Sequence, residues 1–331
     1  MLTHADLFCG MGGFSYGLGE AFPIKCVYAC DNNEAARRIY EHLHGVRPVG
    51  SLEDTWKDIP DGVDILTAGF PCQPYSHAGW KKGLEDYKRA LSPMIAMVRA
   101  ITIKQPKIII LENVPTFLNF KKFEQAREYL FSSLTMAGYL FEPFVASPHT
   151  HANLAQNRPR MFIVGTKDTV ISPPPQVPLT DCIRNHLIDD YDWLRMRFLR
   201  PKSVNESKLI RHILDCNEEP MEFVYRRMYD DLRKVSVDGV IPTLTCHACM
   251  TNTKDMLAVK ERNDLFRILS VEELLSLQGF DYSWVNHDVY EKVLCVKDHS
   301  SNPLRIRVGN SVSPPVVTAV ANQIKDYMND K

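Results

Sequence analysis

The stretch Asp6–Gly13, DLFCGMGG, decides the fold. A short apolar run, Ala5–Phe8, gives way at once to glycines at 10, 12 and 13. Glycine takes positive φ without steric cost and lets backbone approach a ligand closely. A strand that ends in such a turn, at the carboxyl edge of a parallel sheet, is where nucleotide-like ligands bind. The next strand-like run, Lys25–Cys30, ends at Asp31, an acid placed to accept hydrogen bonds from ribose hydroxyls. The spacing departs from G-x-G-x-x-G, and no phosphate cradle opens the helix that follows. That favours a ligand without a pyrophosphate. Taken alone, the segment is also compatible with a tight turn that holds nothing.

Outward from this turn, strands and helices alternate. Asn33–His42 reads as a helix and Val63–Ala68 as a strand. Pro93–Ile103 reads as a helix, Lys107–Leu111 as a short buried strand, Glu124–Met136 as a helix and Arg160–Gly165 as a strand. Such alternation implies crossover units and a mostly parallel sheet, an α/β class. The run Ser172–Pro178, SPPPQVP, stops both element types and marks a domain edge. From Leu179 to about Glu261 the chain reads as irregular, with charges of both signs. Phe266–Phe280 regains a helical signature, with Ser270 as N-cap and Glu273 three residues on. Val316–Met328 reads as a closing helix. The division expected is 1–171 for the α/β domain, 172–262 for a smaller domain, and 263–331 for a return to the first.

The 331 residues are 45% hydrophobic and 24% charged, which excludes fibrous and disordered classes. No apolar run approaches the roughly 18 residues of a membrane span, so no membrane partner is expected. The beginning, MLTHADLFCG, lacks the pattern of a secretory signal. Nine scattered cysteines read as reduced thiols rather than a disulfide framework. A net charge of −1 argues against a strongly basic nucleic-acid binder, although local charge matters more than the sum.

Three segments carry chemistry. Val63–Ser76 reads VDILTAGFPCQPYS. A buried strand runs out through Gly69 to Cys72, held between Pro71 and Pro74, so the thiol is rigidly displayed. A cysteine nucleophile acts as the thiolate; a lone cysteine is otherwise a small buried hydrophobe. Glu112 directly follows the run KIIIL. Neighbouring parallel strands end on one edge, which would bring Cys72 and Glu112 to one cleft. An acid beside a cysteine opposes thiolate formation. Glu112 makes more chemical sense serving a substrate, by sharing a proton with a ring nitrogen; capping the next turn is the structural alternative. Gln156–Arg160, QNRPR, sets Arg158 and Arg160 at a strand entrance, poised to hold an oxygen or phosphate, or simply forming a solvated basic turn.

In this order, DLFCGMGG, Asp31, GFPCQPYS, LENV, QNRPR and VGNSV (Val308–Val312) resemble the cytosine-5 DNA methyltransferases, in particular the compact restriction-modification type. The resemblance spans Asp6 to Val312. It implies a Rossmann-like, S-adenosylmethionine-dependent methyltransferase fold with a mixed, mostly parallel sheet. It also implies a small irregular target-recognition domain, and a C-terminal helix packed beside the cofactor turn. It implies methylation of carbon 5 of a flipped-out cytosine in double-stranded DNA at a short specific sequence. Cys72 would attack C6, Glu112 would hold N3, and Arg160 would hold O2, with Arg158 in the same motif.

For S-adenosyl-L-methionine, the resemblance places Phe8 against the adenine, the backbone of Gly10, Gly12 and Gly13 at the methionine part, and Asp31 on the ribose. Pro71 and Leu91 would line the pocket, and Asn310 and Ser311 would close over the methionine end. Asn32 stands where a large apolar side chain often covers the adenine, and Ser51 stands where an acid often meets its amino group. Ser76–Leu84 matches the mobile active-site loop. Gly79 and Gly83 suit a hinge, and Ser76, Lys81 and Lys82 suit DNA contact. Thr243, in PTLT, is a candidate DNA contact.

The basic stretch from Arg195 to Arg211 suits phosphate, or a solvated helix face. Cys246–Cys249 is only half of a zinc site, and no metal is expected. The resemblance also implies a monomer beside DNA, cytoplasmic in a bacterium and nuclear or in a viral factory otherwise, with a cognate restriction endonuclease as functional partner. A tRNA cytosine-5 methyltransferase on the same fold is the alternative; the Cys-Phe-Thr segment usual there is absent. A non-catalytic regulator would usually lose the Pro-Cys or the Glu. An oxidoreductase would leave PCQ, ENV and QNRPR unexplained.

Overall fold

The computed structural model describes residues 1–71, 84–188, 221–228, 231–249, 257–260, 266–286, 289, 293 and 302–329. They divide into two compact units. One comprises Met1–Ala152, Pro159–Val177 and Ser311–Lys331; the other comprises Asn153–Arg158 and Pro178–Asn310.

The first unit is built on β1 (Leu2–Leu7), α1 (Gly13–Ala21), β2 (Ile24–Cys30), α2 (Glu34–His44), β3 (Ile65–Gly69), α3 (Leu84–Lys104), β4 (Ile108–Asn113), α4 (Glu124–Met136), β5 (Phe144–Ala146) and β6 (Arg160–Gly165). The six strands form one sheet in the order β2-β1-β3-β4-β6-β5. The first four are parallel, while β6 runs antiparallel to both β4 and β5. The sheet is thus mixed and mostly parallel, as the sequence predicts. Ile108–Leu111 is continuously apolar because helices cover both faces of a central parallel strand, and these residues are at most 5% exposed. The crossover from β2 to β3 passes to the far side of β1. The turn after β1 therefore opens at a topological switch point, where α/β sheets bind ligands.

Local signals set the element ends. Asn33 caps α2 by accepting the Ala36 N–H at 3.0 Å, and Gly45 ends it at φ +67°. The helix around Pro93 begins at Leu84, so proline lies inside it rather than opening it. The last helix, Pro314–Asn329, packs on α1. Gly17 permits this approach, since a Cβ there would stand 2.5 Å from the Pro314 carbonyl oxygen. Thr318 Oγ1 donates to the Gly17 carbonyl at 3.0 Å, and Lys325 Nζ to that of Ala21 at 3.1 Å.

The second unit is not irregular throughout. It holds a four-stranded antiparallel sheet in the order Phe266–Ile268, Leu257–Lys260, Phe223–Met228, Asp231–Ser236. Charged residues inside FVYRRM and DLRKVS interrupt the apolar alternation that signals a strand, which hid them. Part of the helical signature at Phe266–Phe280 is the strand Phe266–Ile268; the helix itself is Val271–Gln278, with the expected Ser270–Glu273 capping box.

Residues 263–310, expected in the C-terminal return, belong to this unit where they are described, and the return starts at Ser311. Arg267 and Glu273 account for part of this: both are buried, and Arg267 Nη1 and Nη2 each meet a Glu273 oxygen at 2.7 Å. Glu273 Oε1 also takes the Ile188 N–H at 3.0 Å.

Candidate active site

The turn after β1 takes unusual backbone. Phe8, Gly10 and Gly12 all lie at positive φ, at +53°, +56° and +86°. A phenylalanine held there is strained by about 1–3 kcal/mol and persists only where its surroundings dictate it. Three contacts do so. The Cys9 N–H donates to the Cys30 carbonyl at 3.0 Å, and the Gly12 N–H to the Cys9 carbonyl at 2.8 Å. The Gly10 N–H donates to Asp31 Oδ2 at 3.0 Å.

Asp31 thereby links the turn to the end of β2. Its Oδ1 takes the Asn33 N–H at 2.8 Å, and its carbonyl takes Arg37 Nη1 at 2.8 Å. A carboxylate has about four lone-pair positions, so two backbone donors leave room for a pair of vicinal hydroxyls. With half-buried Phe8 beside it, this donor and acceptor set fits an adenosine-bearing ligand such as S-adenosylmethionine. Asn32 is exposed.

Gly12 faces His44 of α2, and a Cβ at Gly12 would lie 2.0 Å from His44 Nε2. The same ring nitrogen stands 3.4 Å from the Met11 carbonyl oxygen, and the ring packs 4.5 Å from that of Tyr40. Burial pushes the His44 pKa below its ordinary value, against the opposing hydrogen bond to the Met11 carbonyl. Gly13 meets the C-terminal segment: a Cβ there would fall 2.5 Å from the Val312 carbonyl oxygen and 2.9 Å from Ser311 Oγ. Ser311 thus lies against Gly13. His44 was not legible in the sequence, because only the helix register brings it over Gly12.

Beside the turn, β3 and β4 present the second cluster. Gly69 is registered opposite Glu112. Glu112 is registered opposite Phe162, so Arg160, two residues before, lies on the same face of the sheet. Arg160 Nε meets Glu112 Oε1 at 3.0 Å, with both side chains about five-sixths covered. Arg160 Nη1 donates to the Pro159 carbonyl at 2.8 Å. Asn113, buried, donates to the Phe70 carbonyl at 3.1 Å and fixes β3 against β4 just before Pro71, which is exposed. Cys72, Ser76, Lys81, Lys82 and the basic stretch around Arg195–Arg211 lie outside the described residues. Of Leu91, only the backbone within α3 is described.

The second unit holds other expected site residues, and there one expectation changes. Arg158 was grouped with the oxygen- or phosphate-holding arginines. It is 4% exposed and holds main chain: Nη1 donates to the Leu244 carbonyl at 2.6 Å and Nη2 to the Gly309 carbonyl at 3.1 Å. A buried guanidinium needs such acceptors, and the strand pairing of Gln156–Asn157 with Ile241–Pro242 points it there. Thr243 Oγ1 donates to the Asn157 carbonyl at 2.8 Å, which also makes it part of this frame. Asn310 ends the helix Asn302–Asn310 and is exposed. Gly309 is required by packing, since a Cβ would lie 2.5 Å from the Cys246 nitrogen. Cys246–Cys249 forms a short helical turn, with the Cys249 carbonyl taking Arg305 Nε at 2.5 Å.

A mixed, mostly parallel sheet with a glycine turn after β1 and an acid at the end of β2 is an α/β architecture of Rossmann-like class. The model of the C-5 cytosine-specific DNA methylase family matches residues 2–326, and the chain belongs to that family. Its members transfer a methyl group to carbon 5 of cytosine in DNA, with S-adenosylmethionine as their general methyl donor. The chain is 37% identical to the Type II methyltransferase M.NgoBI of Neisseria gonorrhoeae over 96% of this chain and 92% of that protein. It is 27% identical to the Type II methyltransferase M.NlaX of Neisseria lactamica over 98% and 96%. Its fold is similar to that of the S. pombe Dnmt2 methyltransferase, with a TM-score of 0.71 at 18% identity over 99% of this chain and 100% of that one.

Proposed function

We propose that the chain methylates carbon 5 of a cytosine extruded from duplex DNA at a short specific sequence, through a covalent bond between Cys72 and C6. The observation that carries this is the Glu112–Arg160 pair at 3.0 Å, on the same sheet edge that leads from Gly69 into Pro71-Cys72. A cysteine three residues beyond β3 in the sequence, with an ion-paired acid registered opposite the last residue of that strand, suits attack on a ring that must accept negative charge.

In this reading the Cys72 thiolate forms a bond to C6, and the ring electrons move toward N3 and C5. Glu112 meets N3 and shares a proton there, which disperses the charge. Arg160 offers its remaining donors to O2 while its Nε holds Glu112 in place. Bound S-adenosylmethionine supplies an electrophilic methyl group for C5. The C5 proton then leaves to a base, the C6–sulfur bond breaks, and Cys72 is freed. Phe8, the Gly10–Gly13 backbone, Asp31, Asn32, Pro71, Leu91, Asn310 and Ser311 are the residues proposed to hold the donor. Ser76, Lys81, Lys82 and Thr243 are proposed for DNA. Residues 172–262 are proposed as the core of target recognition. A cytoplasmic monomer working beside a cognate restriction endonuclease goes with this reading.

Transfer of labelled methyl groups to duplex DNA, followed by bisulfite sequencing of DNA from cells expressing the chain, tests it. The expected result is 5-methylcytosine at one short motif. Labelling of tRNA with none in DNA would replace this reading by the tRNA one.

A further inference from the structure

Behind the glycine turn, buried side chains of β1, α1, β3 and α2 form a polar cluster that the proposed chemistry does not use. His4 and Asp6 are both 0% exposed. His4 Nε2 lies 2.8 Å from Thr67 Oγ1, and Thr67 Oγ1 donates to Asp6 Oδ1 at 2.8 Å. Asp6 Oδ2 lies 2.9 Å from Ser15 Oγ, and Ser15 Oγ lies 3.4 Å from His4 Nδ1. The contacts close on themselves. Tyr40 OH, 2.6 Å from Ser15 Oγ, joins from outside the ring.

Counting protons around the ring leaves three complete assignments, two of them neutral. In the first, His4 Nε2–H donates to Thr67, Thr67 to Asp6, protonated Asp6 to Ser15, and Ser15 to His4 Nδ1, while Tyr40 donates to the second lone pair of Ser15. The second runs the same circuit in reverse: His4 Nδ1–H donates to Ser15, Ser15 to Asp6, protonated Asp6 to Thr67, and Thr67 to His4 Nε2. In the third, the Asp6 proton sits on His4 and leaves a separated ion pair. Separating charge in a dry interior is costly, so the neutral forms are favoured. An ionised Asp6 beside a neutral His4 breaks the ring: both hydroxyl protons turn to Asp6, and one His4 nitrogen loses its partner.

We infer that Asp6 is a positioning residue that acts as a neutral acid, closing a ring of four hydrogen bonds that holds the turn Phe8–Gly12 in its cofactor-binding shape. The ring spans that turn directly, because Asp6 precedes it on β1 and Ser15 follows it in the first turn of α1. This rests on the proposed cofactor reading of the turn. The groups facing Asp6 are Thr67 from β3, Ser15 from α1, Tyr40 from α2, Cys26 and Cys30 from β2, and Cys9 and Asp31 at the turn. None is a cation. His4 lies on its own strand, and His44 of α2 acts on His4. Burial, helped by Asp31 and opposed by the Thr67, Ser15 and Tyr40 hydrogen bonds, raises the Asp6 pKa from 3.8 to about 7. Burial first, then His44, lowers that of His4 from 6.5 to about 3. Both shifts agree with the neutral assignments.

The test uses the full chain, its D6N and S15A variants, and S-adenosylhomocysteine as the binding probe. Asparagine places one donor atom and one acceptor atom where protonated Asp6 does, with one extra N–H. Infrared difference spectra between wild type and D6N should show a protonated carboxyl near pH 6 that fades above about pH 8. Calorimetry should show wild-type affinity falling about tenfold over that range, D6N changing by less than about threefold, and S15A weakened about tenfold throughout. Absence of the protonated band while the probe binds overturns the ring. Equal pH dependence in wild type and D6N overturns it as well. A band without any probe binding overturns the cofactor reading of the turn, and the positioning role with it. Should S15A not fold, the spectra and D6N decide.

Discussion

Glu112 and Arg160 reach one another at 3.0 Å from strands of opposite direction, so a single antiparallel ladder fixes carboxylate and guanidinium together. Neither has to be carried in by a loop. This bears on how variants behave. E112Q keeps shape but cannot accept and return a proton, so its single-turnover methyl transfer rate should fall by about 100-fold or more, with little change in melting temperature. R160K keeps charge but loses the planar fork, and should show a smaller loss carried mainly by the chemical step. Wild-type rates in E112Q would remove Glu112 from the chemistry.

A methyl group at Gly12 meets two obstacles, a φ of +86° and His44 Nε2 at 2.0 Å. G12A should therefore weaken cofactor binding by about tenfold or more. Replacing His44 by alanine in the same chain removes the collision but not the backbone strain. The double variant should recover part of the affinity in calorimetry. No recovery would mean that His44 does not set the limit at this turn.

In the second unit, Arg267 and Glu273 are 1% and 0% exposed and neutralise each other. Removing either partner strands a buried charge, at a cost of about 3–5 kcal/mol. R267A or E273A should lower the melting temperature by several degrees. Joint replacement by leucine and methionine should be milder than either single change. Equal melting curves for wild type and E273A would contradict the pairing.

Asp181 predicts an acid limb. Burial alone would raise its pKa, but hydrogen bonds from His186, Asn185 and the Ala155 N–H outweigh it and hold the value below 3.8. Such a group contributes stability fully above its unfolded pKa and loses it as pH falls through the lower folded one. Denaturant midpoints of wild type should therefore drop below about pH 4 more steeply than those of D181N, which should start lower at pH 7. Parallel curves would contradict it.

The first unit was legible because its signals are local. Parallel strands buried on both faces read as Ile108–Leu111 does, and Asn33 and Gly45 mark helix ends by a side chain or the lack of one. The second unit was less so. FVYRRM and DLRKVS are strands whose pairing supplies what their composition does not. Arg158 is the clearest mismatch. By motif it stands with Arg160, yet its environment, the Leu244 and Gly309 carbonyls, comes from residues far along the chain. The same holds for the Asp6 ring and for His44 over Gly12: no spacing rule joins residues 4, 6, 15 and 67.

Mass spectrometry of the chain after incubation with duplex DNA containing 5-fluorocytosine tests the chemistry most directly, since fluorine at C5 blocks the last elimination. The account predicts a stable adduct on the peptide bearing Cys72, dependent on S-adenosylmethionine and lost in C72A. Methyl transfer to ordinary cytosine by C72A at the wild-type rate, with no adduct in either protein, would contradict it.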